Sequence, residues 1–176
     1  MENFDGKIAV ITGGGTGMGR ELTYQLAAEG CHVSICDVIE ENMEETFQEA
    51  SKKFPNVKIT KHLCDVSSEE DVLRFRDEVL EQQDTEYINL LFNNAGIGGG
   101  ASFVLSGIEE WERTFKICWD GVYLCSRAFM DPCLKVKKVI WSIPVALMVS
   151  GQLSDIPNPI LLILQQNLPS KALPKL

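Results

Sequence analysis

Histidine and tyrosine are scarce here, with two and three copies in 176 residues, and basic excess, long apolar runs and paired-cysteine motifs are missing. Each absence removes a class of function. The net charge is −9, so a polyanion such as nucleic acid or an anionic membrane surface would be repelled. The first ten residues, MENFDGKIAV, carry acids where a secretory leader needs a basic patch ahead of an apolar core. The apolar run VIWSIPVALMV (139–149) is 11 residues long and contains Pro144, which is too short and too interrupted to span a bilayer. Six cysteines are present but form no CxxC pair, and Cys36 and Cys64 close apolar runs. They read as reduced, buried thiols in a cytoplasmic chain, with no metal site.

Glycine and acid are also scarce at one end. From Asp131 onward there is one of the 14 glycines but six of the seven prolines, and five lysines face two acids. This shift divides the chain into a domain over residues 1–130 and an aberrant tail over 131–176, which supplies at most one strand, from KVIWSIPVALMV.

The first 130 residues alternate between two patterns. KIAVIT, HVSICDV, VKITKHLCDV and INLLFNNAG are short apolar runs bounded by turn residues and read as strands. Helical periodicity fills the intervals, over Gly17–Glu29, Glu40–Phe54, a segment opened by a capping box at Ser67 and Glu70, and a long segment opened by Ser106 and Glu109. Strands that alternate with helices imply parallel pairing and right-handed crossovers. The expected fold is α/β, a truncated Rossmann-like doubly wound parallel sheet, which binds ligands at the carboxyl ends of its strands.

TGGGTGMG (Thr12–Gly19) falls between the first strand and the first helix. Gly13 and Gly17 suit a tight turn with close backbone approach, and Gly19 suits tight helix packing; Gly15, Thr16 and Met18 complete the loop. A helix start there offers unpaired N–H groups to a pyrophosphate. Asp37 ends the second strand 18 residues after Gly19, where a carboxylate can accept both hydroxyls of an adenosine ribose and would repel a 2′-phosphate. With Val38 beside it, Asp37 points to NAD in preference to NADP.

The spacing of this loop is TGxxxGxG, and with it the chain resembles the short-chain dehydrogenase/reductase family. By that resemblance Asp65 and Val66 contact adenine, while Asn94, Ala95 and Gly96 of NNAG support the sheet and line the cofactor cleft. The helix over 107–129 would help form a homo-oligomer. The family's activity is NAD-dependent oxidation or reduction of an alcohol or ketone, using a Ser, a Tyr with Lys four residues on, and an Asn on the long helix. None of Tyr24, Tyr87 and Tyr123 is followed by such a Lys, and the Asn position falls on Cys118. No catalytic residue is therefore assigned, and the expectation is an inactive chain; the alternative roles are a non-catalytic NAD-binding module or an interfering subunit.

The tail admits one further reading. The genetic code allows Leu162–Asn167 to be written CTT ATT CTG CAG CAA AAC, and read from the third base this becomes TAT TCT GCA GCA AAA, or Tyr-Ser-Ala-Ala-Lys. The same shift over Lys138–Ala146 permits a strand that ends in Asn-Thr-Ser-Ser. The tail thus reads as the family's catalytic segment in the wrong frame.

Overall fold

The first apolar run becomes β1 (Ile8–Thr12), buried at every position. The computed structural model describes residues 4–98, 104–105, 107–136 and 140–142. After β1 come α1 (Gly17–Ala28), β2 (His32–Asp37), α2 (Glu40–Lys53), β3 (Ile59–Leu63), α3 (Glu69–Gln83) and β4 (Leu90–Phe92). Next are α4 (Ile108–Phe115), a π-helical turn (Lys116–Asp120), α5 (Gly121–Leu134) and β5 (Ile140–Ser142). The strands pair in the order β3-β2-β1-β4-β5, every pair parallel, as the alternation of strand and helix requires.

Successive residues of a strand point to opposite faces, and both faces are covered. Ala9, Ile11, Val33, Ile35 and Phe92 pack against Leu22 and Leu26 of α1 and Met43 and Ala50 of α2. Ile8, Val10, Cys36 and Leu91 pack on the other side against Val72, Phe75 and Val79 of α3 and Cys125, Phe129 and Cys133 of α5. Edge-on stacking of Phe75 and Phe129, with centroids 5.5 Å apart, ties α3 to α5 across that second layer.

One buried polar chain crosses the second layer. Gln83 Nε2 and Thr60 Oγ1 both donate to Ser34 Oγ, at 2.9 and 2.7 Å. Thr60 Oγ1 also meets His62 Nε2 at 2.9 Å, and His62 Nδ1 meets Glu78 at 2.9 Å. The His62 side chain is buried and tilted against the Phe75 ring. Burial holds the imidazole below its ordinary value near 6.5, although the hydrogen bond and charge of Glu78 pull the other way.

Three helix boundaries differ from the sequence reading. The α3 cap is Ser68, whose Oγ accepts from Asp71 N–H at 3.3 Å. Ser67 is diverted to Asp65 Oδ1, donating from N–H at 2.9 Å and from Oγ at 2.7 Å. Gly107 is the N-cap of α4, and Ser106 lies outside the described residues. The long helix is divided into α4, the π turn and α5, which follow one another without a gap, and α5 runs past Asp131 to Leu134 with Pro132 buried inside it. A proline in the last turn loses only one intrahelical bond, and burial of Cys133 holds the turn in place. Of the segments read in a shifted frame, only Ile140–Ser142 is described, as β5; Leu162–Asn167 lies outside the described residues.

Candidate cofactor cleft

β1 lies between β2 and β4, so the chain leaves it toward one edge of the sheet and later returns on the other side. Helices above the carboxyl ends diverge at such a switch point. A cleft of about 370 Å³ opens there. The loop after Thr12 crosses its floor, and Gly14 N–H donates to the Cys36 carbonyl at 2.9 Å.

The start of α1 is bare. Its N-cap residue Thr16 makes no side-chain cap, and no acid occupies the first turn. The leading N–H groups of a helix lack intrahelical partners, and the macrodipole is positive there, so this end suits an anion. Gly17 has φ +53°, and a Cβ built on it would meet nothing within 4 Å, so the loop leaves open space at that point. Gly19 does the reverse: a Cβ there would lie 2.0 Å from the Gly13 carbonyl oxygen and 2.6 Å from Asn94 Nδ2. Glycine at 19 lets the helix touch the loop.

The segment after β4 laces that loop to the sheet. Asn94 Nδ2 donates to the carbonyls of Thr12 and Gly13, both at 3.0 Å. Ala95 N–H donates to Thr12 Oγ1 at 2.9 Å. Asn93 faces away from the loop, its Nδ2 donating to Ser126 of α5 at 3.0 Å, while its buried Oδ1 finds no partner among the described residues.

Two acids stand at the ends of neighbouring strands. Asp37 Oδ2 accepts Gly15 N–H at 2.9 Å and its Oδ1 accepts Ile39 N–H at 3.1 Å, so the backbone fixes the carboxylate plane. Asp65 is exposed and holds Ser67, while its own N–H donates to Asp71 Oδ2 at 3.2 Å. That bond, then the nearby Arg74, holds the Asp71 carboxyl below its usual range.

Gly13, Thr16, Gly17, Met18, Asp37, Val38, Asp65, Val66, Asn94, Ala95 and Gly96 all line the cleft. Gly15 and Gly19 are buried behind it and shape the loop from the rear. Sequence reasoning missed Ile39, Cys64, Ile97, Arg113 and Ile117, which line it too. Arg113 belongs to α4 and Ile117 to the π turn, and nothing in their local sequence marks them as facing the cleft. Arg20 was missed as well: its guanidinium reaches back to the Gly15 carbonyl at 2.8 and 3.0 Å.

No tyrosine lines this cleft among the described residues. Tyr24 lies on the α2 side, donating to Glu49 at 2.6 Å. Burial, then that bond, pushes its phenol up to about 12, the opposite of what a proton-transferring phenolate needs. Cys118 sits in the π turn and donates its thiol to the Ile97 carbonyl at 3.5 Å. A thiol is a weaker donor and acceptor than a carboxamide.

The sequence profile described as short chain dehydrogenase matches residues 7–139. Meso-2,3-butanediol dehydrogenase of Serratia marcescens is 32% identical over 137 residues, which cover 78% of this chain and 52% of that protein. A short chain dehydrogenase/reductase from Burkholderia phymatum, solved in complex with NAD, superposes with a TM-score of 0.70 at 32% identity, over 77% of this chain and 47% of that one. An alcohol dehydrogenase from the archaeon Thermococcus sibiricus, complexed with 5-hydroxy-NADP, superposes with a TM-score of 0.68 at 27% identity, over 73% and 54% of the two chains. The chain thus spans about half the length of these relatives. The parallel sheet, the glycine loop at its switch point and the profile match over most of the sequence together establish that this chain belongs to the short chain dehydrogenase family.

Proposed function

We propose that this chain is the dinucleotide-binding half of an oxidoreductase acting on alcohols or ketones, and that its cofactor is NAD(H). The observation that carries this reading is the pairing of a bare helix start with the fixed Asp37 carboxylate in one cleft. The first fits a diphosphate, and the second fits a ribose diol and repels a 2′-phosphate. Asp65, Val66, Ala95 and Gly96 then have adenine and the rest of the dinucleotide as their natural contacts. The nicotinamide of such a cofactor exchanges hydride with a substrate carbon. What these 176 residues contribute is binding and orientation: Gly17 admits the phosphate, Gly19 keeps α1 against the loop, and Asn94 holds the loop to the strands.

Proton transfer has no assigned residue, because no Tyr is followed four positions later by Lys and Cys118 replaces the carboxamide. The chain by itself is therefore a binder without turnover. A second role, competition for a partner copy, is favoured by the exposed aromatic face of α4 and the π turn, described below. A reducing compartment such as the cytoplasm suits its six unpaired cysteines.

Titration calorimetry with NAD⁺ and NADP⁺, beside an assay over a panel of alcohols and ketones, tests the proposal. The expected result is NAD⁺ binding, weaker NADP⁺ binding and no turnover. NAD-dependent turnover that Gly17→Val abolishes would overturn the inactive reading. An absence of heat with either nucleotide would overturn the binding one.

A further inference from the structure

Gly15 is held through both of its backbone groups, which belong to the two peptide units flanking its Cα. Its N–H donates to Asp37 Oδ2 at 2.9 Å. Its carbonyl accepts Arg20 Nη2 at 2.8 Å, Arg20 Nε at 3.0 Å and Thr46 Oγ1 at 2.9 Å. Thr46 is fully buried in α2 and accepts Arg20 Nε at 2.8 Å, so one hydroxyl serves the guanidinium and the carbonyl together. Glu45 closes the arrangement with an ion pair to Arg20 Nη2 at 2.7 Å. A Cβ on Gly15 would lie 2.7 Å from Asp37 Oδ2, so only glycine leaves the carboxylate room beside this Cα. The two units share that Cα, so a displacement of Gly15 as a whole carries the N–H that holds the acid.

We propose that Arg20, seated by Thr46 and Glu45, is a positioning residue: through the backbone of Gly15 it fixes the Asp37 carboxylate and so sets the preference for a dinucleotide with a free 2′-hydroxyl. The proposal rests on the dinucleotide reading above. Two consequences follow from the geometry. The planar guanidinium bridges a carbonyl, a hydroxyl and a carboxylate at once, which an ammonium group at a single point does not. Its positive charge is also spent on Gly15 and Glu45, so it is not offered to a 2′-phosphate, and discrimination is left to Asp37.

Arg20→Met and Thr46→Val test the proposal, the second keeping side-chain volume while removing the hydroxyl. Amide hydrogen exchange by NMR reads the clamp without ligand. The Gly15 amide is expected to exchange about tenfold faster in each variant, equivalent to about 1.4 kcal/mol, while the Ile11 and Val33 amides of the central strands keep their protection. The ratio of NADP⁺ to NAD⁺ dissociation constants is expected to shrink about tenfold as well. Unchanged Gly15 exchange overturns the clamp. Equal weakening of both nucleotides, with parental binding intact, reduces Arg20 to a structural brace and overturns the specificity role alone. A parent chain that takes up neither nucleotide removes the dinucleotide reading, and the specificity role with it. Should Arg20→Met lose protection in the central strands, Thr46→Val decides.

Discussion

Two glycines two positions apart face opposite demands, and their substitutions separate cleanly. Gly17 has a left-handed φ but open space around it, so Gly17→Ala carries only backbone strain, about 1 kcal/mol. Gly19→Ala drives a methyl into the Gly13 carbonyl, which is backbone and must move. Chemical denaturation should show a loss of more than about 2 kcal/mol for Gly19→Ala, well beyond that of Gly17→Ala. His62 gives a second test at this scale. Its folded-state proton affinity is depressed by burial, so between that depressed value and the ordinary one near 6.5 the unfolded chain binds a proton that the folded chain refuses. Stability is therefore full above the ordinary value near 6.5 and is lost as the pH falls below it toward the depressed folded value. Melting temperatures should decline in the parent as the pH falls through this range, and His62→Gln should flatten the decline while lowering stability at neutral pH.

Among the elements, α4 and the π turn stand apart. No residue of α4 is buried. Trp111, Phe115 and Trp119 stack along one face, with centroids 5.1 and 5.7 Å apart, and are 55%, 43% and 67% exposed. Ile108 and Tyr123 extend the exposed apolar surface. Contiguous apolar surface of this kind drives association. Under the proposal of a homo-oligomer through this helix, sedimentation should show concentration-dependent self-association of the parent. Phe115→Arg should shift it toward monomer with little change in the melting temperature, because the side chain packs against no core. A monomeric parent at high concentration would exclude that surface as a self-interface.

For the whole molecule, binding and folding are linked. A ligand taken up only by the native state, at a hundred times its dissociation constant, adds about 2.7 kcal/mol. NAD⁺ at that excess should raise the melting temperature of the parent by several degrees and leave Gly19→Ala much less affected. At this scale the sequence was most legible. The four strand runs became β1 to β4 within a few residues, because strands at the centre of a sheet covered on both faces are mostly apolar, and a run such as IAVIT has no other stable place. The cap of α3 was misread because Ser67 and Ser68 are equally good caps locally, and only the Asp65 carboxylate decides between them. The end of α5 was misread because the compositional shift at Asp131 says nothing of Cys133, which the core retains.

By itself the sequence determined the fold class, the glycine loop and Asp37, since periodicity and the need for missing Cβ atoms are local properties that order along the chain expresses directly. The tertiary structure alone decided what stands behind and around them. Arg20 and Thr46, 26 positions apart, meet on one carbonyl, and Arg113 and Ile117 of a later helix turn toward the cleft of the first crossover. Such contacts depend on how helices settle on a twisted sheet, and no residue announces its distant partner before that packing exists.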